Sequence, residues 1–285
     1  MTVGPDTRDG LEALLLWYRD MGVDIAVDDA PRDRFAEAAR VDAATEASSS
    51  AAGPAQRPVT QLAAAARVEP AARPRLPLDA AAVSADAAVQ TARERAAAAR
   101  TLEELRETLL AFEACALKTT ATQLVFADGN PNGRVMAIGE APGADEDRQG
   151  LPFVGRSGQL FDRMLAAIGL DRTQVYVANV VPWRPPGNRT PSAQEVAVCL
   201  PFILRQIELA DPAIVVCLGG SATQALLPVK DGILRLRGRW FDLEAGAKLF
   251  KTMPMLHPAY LLRTPAHKKQ AWRDLRALRR ALDTL

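Results

Sequence analysis

The sequence predicts an α/β fold of three layers, α/β/α, in which a central, mostly parallel four-stranded sheet lies between helices. Three observations carry this prediction. Short apolar runs recur through residues 101–285, a segment with helical periodicity follows each run, and the runs lack the alternation of a half-exposed strand. Continuous apolar strands joined by helices are typical of parallel sheets that are covered on both faces.

The elements of this domain follow in chain order. Thr101-Leu102-Glu103-Glu104 matches a capping box at the start of a helix over residues 105–112. The four predicted strands span residues 135–138, 175–181, 214–218 and 250–255. The helices that follow them span residues 159–168, 192–209, 222–227 and 269–282, respectively. Ligands of such sheets bind outside the carboxyl ends of the strands, so we expect the functional site there.

Roughly residues 38–97, which are dominated by Ala with Ser, Pro and Arg, carry little material for a hydrophobic core. We interpret residues 1–37 as an N-terminal helical arm, residues 38–100 as an Ala/Pro-rich low-complexity linker with a helical end, and residues 101–285 as the main domain. An amphipathic helix over residues 11–21 either packs on the main domain or docks a partner protein.

Charge is distributed unevenly along the chain. The net charge is +1, but residues 1–60 hold eleven acidic residues against six arginines. Residues 261–285 hold seven basic residues and two acidic ones, which favours a basic binding surface near the C-terminus. For residues 273–280 alone, a solvated amphipathic helix is the better explanation.

The cysteines and the hydropathy pattern indicate the compartment. No apolar run approaches the ~18 residues of a membrane span, and the acidic N-terminus lacks a signal-peptide pattern. The three cysteines, Cys115, Cys199 and Cys217, are too dispersed for a disulfide scaffold. We therefore expect a cytoplasmic monomer without membrane contact.

Residues 139–155, GEAPGADEDRQGLPFVG, hold four glycines, four carboxylates and Phe153 between a predicted strand and a helix. Glycines admit a ligand close to the backbone, carboxylates orient water or a cation, and a phenylalanine ring offers a face to a planar group. The alternative is a plain turn with a solvated acidic surface. A phosphate-binding loop is disfavoured because the carboxylates repel phosphate and the P-loop lysine is missing.

Two further polar residues follow predicted strands. Asn179 lies near the end of an otherwise apolar run, so its amide either caps a loop or reads a ligand. His257 follows the last strand, in MLHPAYLLR, where a histidine of the functional site is favoured over a structural one.

Together these segments resemble the family 4 uracil-DNA glycosylases, from about Phe112 to the C-terminus. The likeness consists of GEAPGADEDRQGLPFVG, of VANVVPWRPPGNR around Asn179, and of HPAYLLR from His257. The resemblance implies that residues 101–285 form a glycosylase-like catalytic domain. The implied activity is hydrolysis of the N-glycosidic bond of deoxyuridine in single- or double-stranded DNA, as in base excision repair.

The resemblance also implies roles for particular residues. Phe153 stacks on the uracil ring, Asn179 reads O4 and N3–H, and His257 donates a hydrogen bond to O2. The backbone of three residues lines the base: Glu140, Ala141 and Pro142. A carboxylate orients water and stabilises the cationic sugar, with three candidates left unranked: Glu140, Glu146 and Asp147. Ala141 offers no side-chain base, so water activation must come from elsewhere or matter less.

DNA holding is expected near the C-terminus. The residues expected to enter the helix or to contact phosphates are Tyr260, Leu262, Arg263, Lys268 and Arg237. Ordinary core packing is an equally good interpretation of Leu261 and Leu262.

One departure from the family concerns its metal cluster. Typical members bind a [4Fe–4S] cluster through four cysteines, and here Cys115 and Cys199 match the second and fourth. Phe112 and Trp183 stand at the first and third positions. Half of the ligands are therefore missing, so we expect no cofactor, with the two aromatic rings filling the space.

A second function remains open. The same architecture can serve as a non-catalytic or covalent binding module for uracil or damaged DNA, linked to a polymerase or repair partner through residues 1–37. Relatives thought to bind covalently carry a histidine after the second motif, and residues 184–189 contain none.

Overall fold

The computed structural model describes residues 85–285 of the chain. The predicted arm, residues 1–37, its protein partner and the first part of the predicted linker lie outside the described residues. Within these residues the strands form a single mixed sheet in the order β1-β3-β2-β4-β6-β5.

The elements have the following bounds. The strands are β1 Asp128–Gly129, β2 Val135–Gly139, β3 Val175–Asn179, β4 Ile214–Leu218, β5 Phe241–Ala245 and β6 Lys248–Met255. The helices are α1 Ala85–Ala98, α2 Leu102–Leu110, α3 Ala144–Gln149, α4 Arg156–Ala166, α5 Ala193–Ala210, α6 Gly220–Leu226, α7 Ile233–Leu236, α8 Pro258–Arg263 and α9 Lys268–Thr284. None of these helices combines the length and the apolar composition that crossing a bilayer requires.

The α/β prediction is confirmed. Strands β3, β2, β4 and β6 pair in parallel, and β2, β3 and β4 are buried along their whole length. Their carboxyl ends therefore meet at one edge of the sheet. The sequence correctly predicts these four strands because each is a mainly apolar run, although the first half of β6 also has exposed residues, Lys248, Leu249 and Lys251.

Two antiparallel edge strands, β1 and β5, were not expected from the sequence. Strand β1 has only two residues, which is too short for a periodic signal. Strand β5 alternates exposed and buried residues, with Asp242 and Glu244 facing solvent, and pairs with β6 through a turn at Gly246. Exposed charges are typical of a sheet edge, where only one face is covered.

Alternate residues of the central strand serve two separate cores. Met136 and Ile138 belong to the core under α1, α2 and α5. Val135 and Ala137 belong to the core under α4 and α9. Since successive side chains of a strand point to opposite faces, this division produces the three predicted layers.

Helix α1 corrects the predicted boundary of the linker. Composition assigns residues 38–100 to a linker, but in α1 and just after it four alanines are buried in the core: Ala88, Ala92, Ala96 and Ala99. Arg205 of α5 also donates to the Ala99 carbonyl, at 2.7 and 2.9 Å. Small residues four apart let one helix lie close to another, and low-complexity composition conceals this stripe. Residues 85–98 therefore belong to the folded domain.

Candidate active site

A cavity of about 610 Å³ opens at the carboxyl edge of the parallel strands. All six residues predicted to contact a base line it: Glu140, Ala141, Pro142, Phe153, Asn179 and His257. They come from segments that follow β2, β3 and β6, so the sheet itself brings them together. A volume of this size is typical of small-molecule sites.

Phe153, Asn179 and His257 converge in the cavity. The ring of Phe153 stacks with the imidazole of His257, with centroids 5.6 Å apart and planes inclined by 29°. A Cβ added to Gly139, the last residue of β2, would lie 2.7 Å from Phe153 Cζ and 2.5 Å from Asn179 Oδ1. Only glycine at this position lets the two side chains approach so closely.

The backbone of Phe153 adopts the left-handed conformation, with φ of 56°. This conformation is uncommon outside glycine and needs support from its surroundings. Arg172 supplies that support, because its guanidinium donates to the carbonyl groups of Pro152 and Phe153. Arg172 is itself ion-paired with Asp128 and Asp162. Arg172 therefore fixes the position of the Phe153 ring.

Asn179 ends β3 opposite Gly139 of β2 and is buried. Within the described part of the chain, no group hydrogen-bonds its side-chain amide. A largely buried amide normally finds a hydrogen-bond partner, and Asn179 faces the cavity, where a ligand can supply one. Of the two interpretations left open by the sequence, a ligand reader therefore fits this geometry better than a loop cap.

His257 precedes α8 and has a defined tautomer. Its Nδ1 accepts a hydrogen bond from the backbone N–H of Ala259, at 3.1 Å. Burial, with a smaller contribution from the charge of Arg263, lowers the pKa of His257 to about 4. At neutral pH the imidazole is therefore uncharged and carries its proton on Nε2, which leaves one donor for a ligand.

Glu146 lines the cavity, but both of its carboxylate oxygens are occupied. Oε1 accepts from the N–H groups of Val154 and Gly155 at 3.0 and 2.9 Å, and Oε2 accepts from Gly143 at 3.1 Å. The side chain thus ties the start of α3 to the loop after Phe153. This geometry indicates a structural role.

Asp147 does not line the cavity, although it was a candidate carboxylate. It accepts hydrogen bonds from the backbone and hydroxyl of Thr122 at 2.8 Å and from the backbone of Gln123 at 3.4 Å. Arg184 lies 3.9 Å from its second oxygen. Asp147 therefore anchors the segment before β1.

Glu140 is the remaining predicted carboxylate. It lines the cavity, and its Oε1 is buried without a hydrogen-bond partner in the described part of the chain. An unpaired buried carboxylate oxygen is costly, and groups of this kind are found where a ligand or water supplies the partner. Of the three candidates, Glu140 alone is free to act on a ligand.

The residues predicted to hold DNA are placed differently from one another. Tyr260 and Arg263 line the cavity, and Leu262 and Lys268 are exposed. Leu261, in contrast, is only 1% exposed and packs in the core, which settles the alternative for Leu261 alone.

Arg237 corrects the predicted set. Its guanidinium forms an ion pair with Asp274 and donates to the carbonyl of Gln270 at 2.8 Å. Asp274 is almost fully buried. Arg237 therefore holds α9 against the domain and is not available for a phosphate group.

Part of the cavity wall was missed from the sequence. Gly219, Gly220 and Ser221 line the cavity directly after β4, and residues 185–191 contribute Pro185, Asn188, Arg189, Thr190 and Pro191. The rule that ligands bind after parallel strands applies to β4 as well. The Gly-Gly-Ser segment directly after β4 is the feature of the sequence that could have identified this part of the cavity wall.

Two of the four positions that match the cluster ligands of the family hold aromatic residues in place of cysteine. Phe112 and Trp183 are 1% and 2% exposed and share one hydrophobic core with Cys115 and Cys199. The Cys115 and Cys199 sulfur atoms lie 3.9 Å apart. No group of three or more His, Cys, Asp or Glu residues in the described part is arranged to hold a metal ion. Two thiols and two aromatic rings do not fit a four-thiolate cluster.

Comparison with known proteins gives a consistent set of relatives. The family described as the uracil DNA glycosylase superfamily matches residues 126–276, more than half of the chain. The type-4 uracil-DNA glycosylase of Archaeoglobus fulgidus is 36% identical over 181 residues, which cover 62% of this chain and 91% of the relative. That of Thermotoga maritima is 39% identical over 168 residues, 59% and 86% of the two chains. That of Sulfurisphaera tokodaii is 36% identical over 183 residues, 62% and 83% of the two chains.

Proposed function

The chain belongs to the uracil DNA glycosylase superfamily, and on this premise we propose that it hydrolyses the N-glycosidic bond of deoxyuridine in DNA. The products are free uracil and an abasic site, as in base excision repair. One observation carries the proposal: Phe153, Asn179 and His257 line a common cavity at the carboxyl edge of the sheet.

Two contacts hold uracil in the cavity, one to the face of its ring and one to the polar edge that carries O4 and N3–H. In a duplex the base must leave the stack to reach the cavity, at a cost of a few kcal/mol. Phe153 then covers one face of the ring, and the Asn179 amide accepts from N3–H and donates to O4. Cytosine presents the opposite polarity at these two atoms, so its binding leaves a buried amide unsatisfied.

Cleavage of the glycosidic bond leaves a cationic sugar and an anionic base. The neutral His257 imidazole donates from Nε2 to O2, where negative charge develops. A preorganised donor of this kind stabilises a transition state by roughly 3 kcal/mol. The donor needs no rearrangement because Ala259 fixes the tautomer.

Glu140 is the carboxylate that we assign to the sugar and the attacking water. Its unpaired Oε1 accepts a hydrogen bond from water and places negative charge near the cationic sugar. Glu146 and Asp147 act indirectly, since their oxygens hold the backbone of the loop.

DNA is held by residues around the cavity mouth. Tyr260 and Arg263 lie at the cavity, while Leu262 and Lys268 are exposed beside it in the chain. We assign phosphate contacts to Arg263 and Lys268, which make binding sensitive to salt, and a wedge role to Leu262.

The proposal includes three further statements. The enzyme works without a [4Fe–4S] cluster, because Phe112 and Trp183 occupy two of the four ligand positions and pack in the core. It acts as a monomer. Its location is cytoplasmic, which three unpaired cysteines favour.

Release of uracil from oligonucleotides tests the proposed activity. Single- and double-stranded substrates carry one deoxyuridine, and a matched pair carries thymidine at the same place. We expect alkali-sensitive abasic sites only with deoxyuridine. Binding without product indicates a non-catalytic module, and an adduct that survives denaturation indicates covalent capture; either outcome contradicts the proposal.

Replacement of Arg172 by glutamine is expected to lower kcat by about tenfold, because the Phe153 ring loses its fixed position. Arg172→Lys keeps the charge near Asp128 and Asp162 and is expected to recover part of the loss. Arg205→Gln is the matched control, since this arginine likewise combines an ion pair, with Glu208, and hydrogen bonds to a backbone carbonyl, that of Ala99, but lies away from the cavity. Equal activity of Arg172→Gln and Arg205→Gln argues against the positioning role.

Replacement of Glu140 by glutamine is expected to lower kcat by about 10²-fold, because the amide stabilises neither the cationic sugar nor the attacking water as a carboxylate does. The melting temperature should not fall, since Oε1 has no partner in the described part of the chain to lose. Glu146→Gln is expected to show the reverse pattern, with a lower melting temperature, because three backbone N–H groups lose a charged acceptor. Full activity of Glu140→Gln rejects the assignment.

A further inference from the structure

Cys115 and Cys199 form a close pair of thiols in an apolar environment. Cys115 precedes the short 3-10 helix Ala116–Thr119, and Cys199 lies in α5. Their sulfur atoms are 3.9 Å apart although the residues are 84 positions apart in the sequence. Both side chains are buried in the core that also holds Phe112 and Trp183.

We propose that Cys115 and Cys199 are a modification site at which a reversible disulfide forms. The geometry carries this proposal, because a disulfide needs two sulfur atoms about 2 Å apart. The two sulfur atoms, now 3.9 Å apart, must approach by about 2 Å, and we assign this movement to side-chain rotation with a small shift of the short 3-10 helix. Within the described residues the two thiols are not part of any set of three or more His, Cys, Asp or Glu side chains that could hold a metal ion.

The oxidant is a peroxide. The Cys115 thiolate attacks one peroxide oxygen and becomes a sulfenic acid, while the other oxygen leaves as hydroxide and takes a proton. The Cys199 sulfur then attacks the Cys115 sulfur and loses its proton, and the sulfenic oxygen leaves as water. Two thiols and one hydrogen peroxide thus give one disulfide and two waters.

The order of attack follows from the positions of the two residues. Cys115 lies directly before the short 3-10 helix and is 2% exposed. Cys199 is completely buried within a helix and faces Cys115. Cys217 lies in β4 with no thiol partner in the described part of the chain, so we expect it to stay reduced.

The bond has a measurable consequence for stability. It closes a long loop between the segment before β1 and α5, and this loop includes Phe153 and Asn179. A cross-link over this sequence separation removes conformational freedom from the unfolded chain. We expect the melting temperature to rise by about 10 °C on oxidation and to return on reduction.

The test uses the full wild-type chain, reduced, freed of reductant and then treated with hydrogen peroxide. Thiols counted in denaturant are expected to fall from the three of the sequence to a single one. Peptide mapping should join Cys115 to Cys199, and dithiothreitol should reverse both changes. Cys217→Ala is expected to keep the melting shift, and Cys199→Ala to lose it.

Several outcomes overturn the proposal. These are three thiols retained after peroxide treatment, a cross-link that includes Cys217, or a sulfinic acid at Cys115 in place of the bond. Iron and inorganic sulfide bound to the isolated protein also overturn it, since the thiols then serve as ligands. The wild-type measurements do not depend on the folding of any variant.

Discussion

Replacement of Asn179 by alanine is expected to lower kcat/KM for uracil release by about 10³-fold or more, with little change in melting temperature. The amide makes no hydrogen bond within the described part of the chain, so its loss leaves no protein group unpaired. It does leave O4 and N3–H of a buried uracil without partners. Polar recognition in an enclosed site discriminates by such factors because an unsatisfied buried group costs its full desolvation energy.

Asn132→Ala is the matched control for Asn179. Asn132 is exposed in the loop before β2, at the opposite end of the parallel strands from the cavity. We expect it to leave kcat/KM unchanged. A loss of less than tenfold for Asn179→Ala, measured by steady-state kinetics on a single-stranded deoxyuridine oligonucleotide, is incompatible with the assigned role.

Replacement of His257 by alanine is expected to lower kcat by about 10³-fold while KM changes little. The imidazole acts on charge that exists only as the bond breaks, so its loss affects the transition state and not the bound substrate. Asn132→Ala, at an exposed residue at the opposite end of the parallel strands from the cavity, serves as the control here as well. A His257→Ala variant within tenfold of wild-type kcat contradicts the role.

The lowered pKa of His257 also predicts how the stability of the folded protein depends on pH. Because burial lowers its pKa to about 4 from an ordinary 6.5, the folded protein binds fewer protons than the unfolded chain between these values. The contribution of His257 to stability is therefore complete above about pH 6.5 and is lost as the pH falls toward 4. We expect the wild type to lose more stability than His257→Ala over this interval, measured by denaturant unfolding. Equal losses contradict the lowered pKa.

The sequence is most informative where a residue must be apolar or must be polar. Strands β2, β3 and β4 are predictable because burial on both faces leaves them almost wholly apolar, and β6 is predictable from its buried second half. Asn179 and His257 are predictable because polar residues directly after such strands stand at the ligand-binding edge. Phe112 and Trp183 are predicted to fill apolar space, and both are buried in the core.

Tertiary contacts decide what the sequence leaves open. Glu140, Glu146 and Asp147 are equivalent as residue types, and only their hydrogen bonds separate a free carboxylate from two occupied ones. Arg172 lies in a loop without a motif, yet it holds the backbone of Phe153. The sequence does not distinguish Arg237 from the other arginines. Its ion pair with Asp274, which only the fold brings together, shows that it is not available for phosphate.

A crystal structure of the protein with free uracil tests the proposed arrangement most directly. We expect the pyrimidine ring parallel to the Phe153 ring, O4 and N3–H facing the Asn179 amide, and O2 within hydrogen-bonding distance of His257 Nε2. Uracil bound outside this cavity, or bound in it with its polar edge turned away from Asn179, contradicts the proposed recognition.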